Sequence, residues 1–406
     1  MTARTGTDEL RVFLVAGEES GDRLGVALMR ALKTRTGGRI RFSGVGGSGM
    51  EREGLDSLFP LGDLALVGFS AIPMNLMKIL RRIRETANAA VAAKPDVLVI
   101  IDSPEFTHRV AKRVRAAAPE IPIVNYVSPS VWAWRPWRAR SMRRYVDHVL
   151  ALLPFEPAVH ARLGGPPCSY VGHPLTERAA ELRPNAEETK RRNATPPVIL
   201  VMPGSRGGEI RRMLAAFAEA IARVHAQAGA IEIVVPTVSH LHEEVKQAVA
   251  AWPVPARVVV DMAEKNAAFR NARAALVKSG TGTLELAVAG VPMVAAYKVS
   301  PLEYRVGMLM INAQSIILAN LVLGENVVPT FIQHEATSQN LADALVPLLG
   351  DTAERRAQTQ AFSRLDAIME IGTAVPSDRA AAIVLEQARR LNQPSKEAVA
   401  SMRPRA

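Results

Sequence analysis

The feature that most constrains the fold is a repeated alternation of short apolar runs with longer segments of helical spacing. In the first half of the chain the apolar runs are Val12–Ala16, Val97–Ile101, Ile123–Val127 and His148–Leu152. In the second half they are Val198–Met202, Glu232–Val235, Arg257–Val260, Ala274–Val277 and Met293–Ala296. Short buried strands separated by helices are typical of parallel sheets that are covered on both faces. The alternation therefore predicts an α/β fold.

The alternation weakens once, between residues 173 and 197, where the sequence is polar and interrupted by proline. Such a composition favours a linker that contains at most short helices. We therefore predict two Rossmann-like domains, 1–172 and 198–375, with parallel sheets that face a central cleft. Residues 376–406 are predicted to form a C-terminal helix, for which the N-terminal domain is a packing surface, and a loose tail.

Charge and cysteine content narrow the class of protein. The 406 residues carry a formal net charge of +11, which favours an anionic partner such as a phosphorylated substrate, a membrane or a nucleic acid. The single cysteine, Cys168, has no partner for an intrachain disulfide, which is typical of a cytosolic protein. The N-terminus does not resemble a signal peptide, and no apolar run approaches the ~18 residues of a spanning helix, so we predict peripheral membrane contact.

An acidic turn follows the first predicted strand. Two glutamates and an aspartate there argue against a diphosphate cradle and suit hydrogen bonds to sugar hydroxyls. We predict that four of its residues line the cleft: Glu18, Ser20, Gly21 and Asp22. A tight turn in which Ser20 or Asp22 caps the next helix is an equally weighted structural alternative.

A second acidic residue, Asp102, lies at the carboxyl end of the predicted strand Val97–Ile101. Open parallel sheets bind their ligands at this edge. A carboxylate in this position can deprotonate a hydroxyl nucleophile, so Asp102 is our candidate for a general base. The structural alternative is that Asp102 caps the helix at Thr107.

Two segments combine aromatic or apolar residues with arginine, as interfacial elements do. In residues 126–138 we predict that Ser128 and Trp132 line the cleft and that Trp134 and Arg135 contact the membrane. In and after residues 66–80 we predict contacts with acyl chains or the membrane by Val67, Phe69, Met74, Met77 and Arg81. The alternative for both segments is an apolar core face with a solvated basic flank.

Two turns in the second half suit phosphate. After the strand Val198–Met202, Ser205 and Arg206 can hydrogen-bond phosphate oxygens. After the strand Ala274–Val277, a turn rich in glycine and hydroxyl groups opens a helix, and we predict nucleotide-sugar contacts by Ser279, Gly280, Thr281, Thr283 and Glu285. The sequence here matches neither a Walker loop nor GxGxxG. Because no DxD-like motif accompanies the turns, we predict no metal and no cofactor.

Seven motifs in this order resemble the lipid-A-disaccharide synthase family. They are AGEESGD at Ala16–Asp22, IDSPEF at Ile101–Phe106, YVSPSVWAWR at Tyr126–Arg135, LPFE at Leu153–Glu156, PGSRGGEI at Pro203–Ile210, SGTGTLE at Ser279–Glu285 and NLVLGENVVPTFIQ at Asn320–Gln333. The resemblance spans almost the whole chain, and YVSPSVWAWR is its most specific part.

The resemblance implies an inverting glycosyltransferase of the GT-B type. Such an enzyme joins UDP-2,3-diacylglucosamine to 2,3-diacylglucosamine 1-phosphate (lipid X), which gives UDP and the β-1′,6-linked lipid A disaccharide 1-phosphate. It works on the cytoplasmic face of the inner membrane of Gram-negative bacteria. The implied partners are therefore the UDP-activated donor, the lipid X acceptor and the inner-membrane surface, without nucleic acid; a homodimer stays open.

The resemblance also implies residue roles. Asp102 matches the general base that acts on the acceptor 6-hydroxyl. Arg206 matches a residue that binds the donor diphosphate, and Glu285 matches one that binds the nucleotide. The last motif implies that Asn320 and Gln333 also bind the nucleotide-sugar. Glu105 departs from the family, where an aspartate is expected.

Three other functions are alternatives to the glycosyltransferase that the resemblance implies. A UDP-sugar 2-epimerase shares the two-domain plan, an N-acetylglucosaminyl transferase on a polyprenyl acceptor shares the chemistry, and a basic nucleic-acid or membrane module would need no Asp102.

Overall fold

The structure is a computed structural model that describes residues 9–64, 72–205, 207–300, 304–305, 315–373 and 375–390, without the side chains of 72–76, 209 and 390. Two compact units make up the chain. The first extends to Pro174 and includes the C-terminal helix, and the second extends from Leu175 to Thr373.

The first unit contains a parallel sheet of seven strands in the order β3-β2-β1-β4-β5-β6-β7. Its strands are β1 (Leu10–Ala16), β2 (Ile40–Val45), β3 (Leu55–Ser57), β4 (Val97–Ile101), β5 (Ile123–Tyr126), β6 (His148–Ala151) and β7 (Cys168–Tyr170). Every residue of β4 is buried. A strand buried on both faces needs a continuous apolar run, as the sequence of β4 provides.

Helices cover both faces of this sheet. They are α1 (Glu19–Thr36), α2 (Ser48–Arg52), α3 (Ile72–Ala93), α4 (Pro104–Ala117), α5 (Trp137–Met142) and α6 (Glu156–Arg162). One apolar cluster lies beneath α1, and a second lies beneath α3 and α4.

The second unit contains a parallel sheet of six strands in the order β10-β9-β8-β11-β12-β13. Its strands are β8 (Val198–Met202), β9 (Glu232–Pro236), β10 (Ala256–Val259), β11 (Ala274–Lys278), β12 (Met293–Tyr297) and β13 (Thr330–Ile332). Its helices are α7 (Ala179–Leu182), α8 (Ala186–Asn193), α9 (Gly207–Ala228), α10 (His242–Ala250), α11 (Met262–Asn271), α12 (Gly282–Val288), α13 (Leu318–Leu323), α14 (Ser338–Leu345), α15 (Ala353–Ser363) and α16 (Leu365–Ile368).

A buried arginine anchors α8, one of the first helices of the second unit, to the rest of that unit. Arg192 of α8 donates hydrogen bonds to the carbonyls of Phe269 and Arg270, near the end of α11, and to those of Ala289 and Gly290, after α12. A cation suits these positions because helix C-termini leave carbonyls unpaired. The last helix, α17 (Pro376–Arg390), belongs to the first unit, where it packs on α1.

The nine strands expected from the apolar runs are all present, and most ends agree within one residue. One end differs for a physical reason: β5 ends at Tyr126 because Val127 adopts a left-handed conformation, with φ of +78°. The short edge strands β3, β7 and β13, and β2 beside β3, lack a distinctive apolar run and were not predicted. Among the described residues, no helix combines the length and the apolar character needed to cross a membrane.

The strand order places a topological switch point in each sheet. The chain builds outward from β1 to β3 and then returns to the other side of β1 with β4; β8 and β11 repeat this arrangement. Open parallel sheets bind ligands at the carboxyl ends of the strands that flank such a point. The turns after β1, β4, β8 and β11 are therefore the expected ligand-binding positions.

Candidate active site

The turn after β4 holds Asp102 in an unusual backbone conformation. Asp102 and Ser103 have φ angles of +54° and +44°, a left-handed region that side chains other than glycine rarely enter. The Asp102 carboxylate accepts hydrogen bonds from the Ser103 amide (2.8 Å) and from Ser20 Oγ (3.1 Å). Consecutive strained residues are typical of functional sites, where surrounding structure imposes the conformation.

Glycine in the turn after β1 makes this conformation possible. A Cβ atom at Gly17 would lie 2.4 Å from Ser103 Cβ, and one at Gly21 would lie 3.2 Å from the Ile101 carbonyl oxygen. The two turns therefore approach each other so closely that only glycine fits at Gly17. Thr107 Oγ1 donates to the Asp102 carbonyl, so the main chain of Asp102, rather than its carboxylate, pairs with the helix.

The four predicted cleft residues of the first turn have different surroundings. Ser20 reaches Asp102, and Glu18 is exposed. The buried Asp22 carboxylate accepts hydrogen bonds from three backbone amides at the start of α2, those of Gly47 (2.8 Å), Gly49 (3.0 Å) and Met50 (3.1 Å). Asp22 therefore holds α2 in place, and α1 itself begins without a side-chain cap.

The loop after β5 lies beside the Asp102 turn, because the Asp102 amide donates to the Tyr126 carbonyl. Left-handed residues bound this loop at both ends, Val127 with φ of +78° and Arg135 with φ of +53°. Ser128 Oγ lies 2.9 Å from His160 Nε2 of α6, and the Trp132 ring packs edge-on against Phe155. Helix α6 therefore braces the loop that carries the predicted cleft residues Ser128 and Trp132.

Two buried ionisable residues of this brace were not predicted from the sequence as site residues. Burial raises the pKa of Glu156 to about 7, against the opposing effect of a hydrogen bond from the Leu153 amide. Burial lowers the pKa of His160 to about 4. Glu156 and His160 are four residues apart and therefore lie on one face of α6, a spacing that could have indicated a shared role.

The predicted membrane residues are described only in part. Met77 and Trp134 are exposed large apolar residues, as is the neighbouring Trp137, and Arg81 is exposed. Val67 and Phe69 lie outside the described residues, and the side chain of Met74 is not described. The core alternative therefore does not apply to Met77, Trp134 or Trp137.

The turn after β11 is closed by its own hydroxyl groups. Ser279 Oγ donates to the Ile316 carbonyl (2.9 Å), and Thr283 Oγ1 donates to the Gly280 carbonyl (2.7 Å). Both side chains are buried, whereas Thr281 is exposed at the tip of the turn. Ser279 and Thr283 therefore fix the shape of the turn, and Gly280 and Thr281 form its accessible part.

A lysine that the sequence did not single out lies at the same turn. The Lys278 ammonium group, at the end of β11, lies 5.0 Å from the centre of the Tyr297 ring and 4.0 Å from where a Cβ of Gly280 would be. A cation held over an aromatic face keeps a defined position. The charge of Glu285, also predicted here, counteracts the lowering by burial of the Lys265 pKa, which places these two groups near one another.

The remaining predicted donor residues belong to the second unit, and the structure describes all of them except Arg206. Asn320 pairs with both the amide and the carbonyl of Val328, and Gln333 pairs in the same way with Val299. Ser205 is exposed after β8, and Arg206 lies outside the described residues. Among the residues that the structure describes, no three His, Cys, Asp or Glu side chains are grouped to hold a metal ion.

Family and structure comparisons agree with the resemblance noted in the sequence. A family model described as lipid-A-disaccharide synthetase matches residues 12–383. A lipid-A-disaccharide synthase from Nitrobacter hamburgensis is 60% identical over 376 residues, 93% of this chain and 95% of the relative. One from Bradyrhizobium diazoefficiens is 57% identical over 380 residues, 94% of this chain and 97% of the relative.

Solved structures with low sequence identity share the fold. MurG from Acinetobacter baumannii is 14% identical with a TM-score of 0.56, covering 93% of this chain and 99% of MurG. An S. aureus MnaA-UDP structure is 14% identical with a TM-score of 0.60, covering 95% of this chain and 98% of MnaA. The predicted fold class, α/β of the GT-B type with two Rossmann-like domains, is confirmed. Because the family model and relatives of about 60% identity cover nearly all of the sequence, this chain belongs to the lipid-A-disaccharide synthetase family.

Proposed function

We propose that the chain transfers 2,3-diacylglucosamine from its UDP derivative to the 6-hydroxyl of 2,3-diacylglucosamine 1-phosphate. The products are UDP and the β-1′,6-linked lipid A disaccharide 1-phosphate. One observation carries the proposal: the two switch-point turns have opposite chemistry. The turn after β4 presents the carboxylate of Asp102, and the turn after β11 presents the ammonium group of Lys278.

In the proposed reaction, Asp102 takes the proton of the acceptor 6-hydroxyl as that oxygen attacks C1 of the donor sugar. The bond between C1 and the diphosphate oxygen breaks, and its electron pair leaves with UDP. Attack from the face opposite the leaving group inverts the configuration at C1. A positioned general base contributes about 10²–10⁴-fold to the rate of such a step.

The second unit is proposed to bind the donor and to stabilise the departing diphosphate. Gly280 and Thr281 form the accessible part of the β11 turn, and Lys278 lies beside it at the end of the strand. Arg206 is proposed to add a bidentate contact, on the basis of the sequence motif. Fixed positive charge that faces a leaving anion stabilises the transition state without reorganising when the bond breaks.

The proposed site of action is a membrane surface, because both substrates carry acyl chains; the family resemblance implies the cytoplasmic face of the inner membrane. Exposed Met77, Trp134 and Trp137 support this proposal, since aromatic side chains with arginines suit the headgroup region. Replacing Phe69, Met74 and Met77 with serine is expected to reduce recovery with floating vesicles while folding persists. Replacing three exposed residues of the second unit with serine, Glu243, Lys246 and Arg257, serves as a control. Unchanged flotation of the Phe69, Met74 and Met77 variant would contradict the proposed surface.

The test of the activity is to incubate the full chain with both acylated substrates and to identify products by mass spectrometry. The expected result is UDP and the tetraacyl disaccharide 1-phosphate in equal amounts. A parallel sample with donor alone tests for isomerised sugar, and one with a polyprenyl-linked acceptor tests for the other transferase. Product in either parallel sample, with none in the first, would overturn the proposal. Light scattering of the same sample shows whether the chain is a homodimer.

A further inference from the structure

Three arginines converge on one exposed carboxylate in the first unit. Glu105 Oε1 lies 2.6 Å from Arg138 and 3.5 Å from Arg135, and Glu105 Oε2 lies 3.9 Å from Arg109. Glu105 and Arg109 are four residues apart on α4, whereas the other two arginines come from the loop after β5 and from α5. The sequence indicated only that Glu105 departs from the family, and it gave no reason to place these three arginines together.

The arginine cluster is held in position by an aromatic ring. The guanidinium carbon of Arg135 lies 4.2 Å from the centre of the Trp134 ring, and that of Arg138 lies 6.0 Å from it. Arg135 also has a left-handed backbone, with φ of +53°. Stacking on an aromatic face orders a guanidinium group and leaves its N–H groups available for a planar anion.

The cluster has more positive charge than its own carboxylate neutralises. Three guanidinium groups face Glu105, so two positive charges are left over by this pairing. The hydrogen bond from Arg138 holds the pKa of Glu105 below its usual range. Burial and, secondarily, the Arg138 charge lower the pKa of His108, which lies beneath the cluster on α4, to about 4. Exposed Lys112 on the next turn of α4 adds to the same positive surface.

The cluster lies next to the proposed base. Glu105 follows Asp102 by three residues at the start of α4, and Arg135 ends the loop that lies beside the Asp102 turn. A substrate whose hydroxyl reaches Asp102 can therefore bring a second, anionic group to this excess of arginine. A phosphomonoester carries close to two negative charges at neutral pH, and arginine binds phosphate bidentately.

We propose that Arg109, Arg135 and Arg138 form a phosphomonoester subsite that binds the 1-phosphate of the acceptor, with Glu105 holding the guanidinium groups together until the phosphate binds. This inference rests on the proposed function, since it assigns a subsite to the acceptor of that reaction. The same chemistry would recognise a phosphate ester of a lipid headgroup, so the experiment must separate these two sources.

The test compares two acceptors, 2,3-diacylglucosamine with and without its 1-phosphate, with the wild type and the Arg138→Ala variant. The variant is expected to lower kcat/KM for the phosphorylated acceptor by about 10- to 100-fold, the range for a hydrogen bond to a charged group. Transfer to the unphosphorylated acceptor and the KM for the donor are expected to stay unchanged. Arg140→Ala, which removes an exposed arginine from the same helix, is the matched control.

Three outcomes would overturn the subsite. The variant could affect both acceptors equally, it could affect neither, or it could keep the phosphate preference and lose only binding to vesicles that contain phosphatidylglycerol. The last outcome would assign the cluster to a headgroup. Arg138→Gln, which keeps most of the side-chain stem, replaces the alanine variant if circular dichroism shows misfolding. A wild type that uses neither acceptor would instead reject the proposed function.

Discussion

The turns after β4 and β11 occupy the same topological position in two parallel sheets, yet their chemistry is opposite. The first presents Asp102, and the second presents Lys278 beside a turn of glycine and hydroxyl groups. Both lie at the carboxyl end of the strand that follows the switch point. The fold therefore determines where a ligand can bind, while the side chains determine whether the turn removes a proton or holds an anion.

The backbones of the two turns also differ. Asp102 and Ser103 are consecutive left-handed residues, whereas none of residues 279–283 has a positive φ. Each left-handed residue other than glycine costs about 1–3 kcal/mol, and such strain persists only when neighbouring structure imposes it. The turn with the proposed base is thus strained and held by Ser20, and the turn at the proposed donor site is relaxed and closed by Ser279 and Thr283.

The largest expected effect separates these roles. Asp102→Asn is expected to lower kcat by about 10²–10⁴-fold, because the amide can still accept hydrogen bonds from Ser103 and Ser20 but cannot take the acceptor proton. UDP binding by calorimetry is expected to be unchanged, since the donor is assigned to the other unit. Wild-type turnover in this variant would show that Asp102 is not the general base. Loss of UDP binding would contradict the assignment of the base to the first unit and of donor binding to the second.

Sequence reasoning predicted nine of the strands and placed Asp102 at the end of one of them, because apolar runs and strand-end positions are local features. The strand order, and with it the switch points, came only from the structure. Sequence reasoning did not identify the brace formed by Glu156 and His160, or Lys278 over Tyr297, because both arrangements depend on contacts between different elements: His160 of α6 contacts Ser128 of the loop after β5, and Lys278 of β11 contacts Tyr297 of β12. It also assigned the Ser279 and Thr283 hydroxyls to the ligand side. Whether a hydroxyl faces a ligand or its own backbone is decided by the path of the turn, which sequence pattern does not specify.

The next expected effect concerns the brace in the first unit, which contains the buried titratable residues Glu156 and His160. The raised pKa of Glu156 means that the folded state keeps a proton that the unfolded state loses above the ordinary pKa of 4.5. This contribution to stability is present below that value and is lost as the pH rises toward about 7. Glu156→Gln removes the loss and is expected to gain about 3 kcal/mol in unfolding free energy relative to the wild type between pH 4.5 and 8.

Thermal or urea unfolding of both proteins across this pH range measures the gain. His160 contributes with the opposite sign, because its lowered pKa makes the folded state less stable as the pH falls from 6.5 toward 4. Glu156→Gln should therefore expose this acid-side loss, which the glutamate partly offsets in the wild type. Parallel pH profiles for the two proteins would show that Glu156 does not contribute to the pH dependence of stability.

A smaller effect is expected at the donor turn. Lys278→Ala is expected to weaken UDP binding by about 10- to 100-fold, the range for a lost hydrogen bond to a charged group. The KM of the acceptor should not change. Lys246→Ala, which removes an exposed positive charge from α10 of the same unit, is the control. Equal losses for the two variants would mean that Lys278 acts only through net charge, and no loss for either would place the diphosphate elsewhere.

The smallest effect tests how the first unit holds its base. Ser20→Ala removes one hydrogen bond to the Asp102 carboxylate and is expected to lower kcat by about 2- to 10-fold, with donor KM unchanged. Ser20→Thr, which keeps the hydroxyl, is expected to restore most of the rate. In the Asp102→Asn background, Ser20→Ala should have little further effect, because two residues that act through one interaction are not additive.

Asp22 provides the contrast within the same turn, because its carboxylate binds the backbone amides of Gly47, Gly49 and Met50 instead of the base. Asp22→Asn is therefore expected to lower Tm and leave kcat of the folded fraction intact. Ser20→Ala is expected to lower kcat and leave Tm unchanged. Steady-state rates and thermal unfolding of the two variants decide between these outcomes. If Ser20→Ala lowers Tm without changing kcat, the hydrogen bond to Asp102 stabilises the strained turn alone, and catalysis does not depend on it.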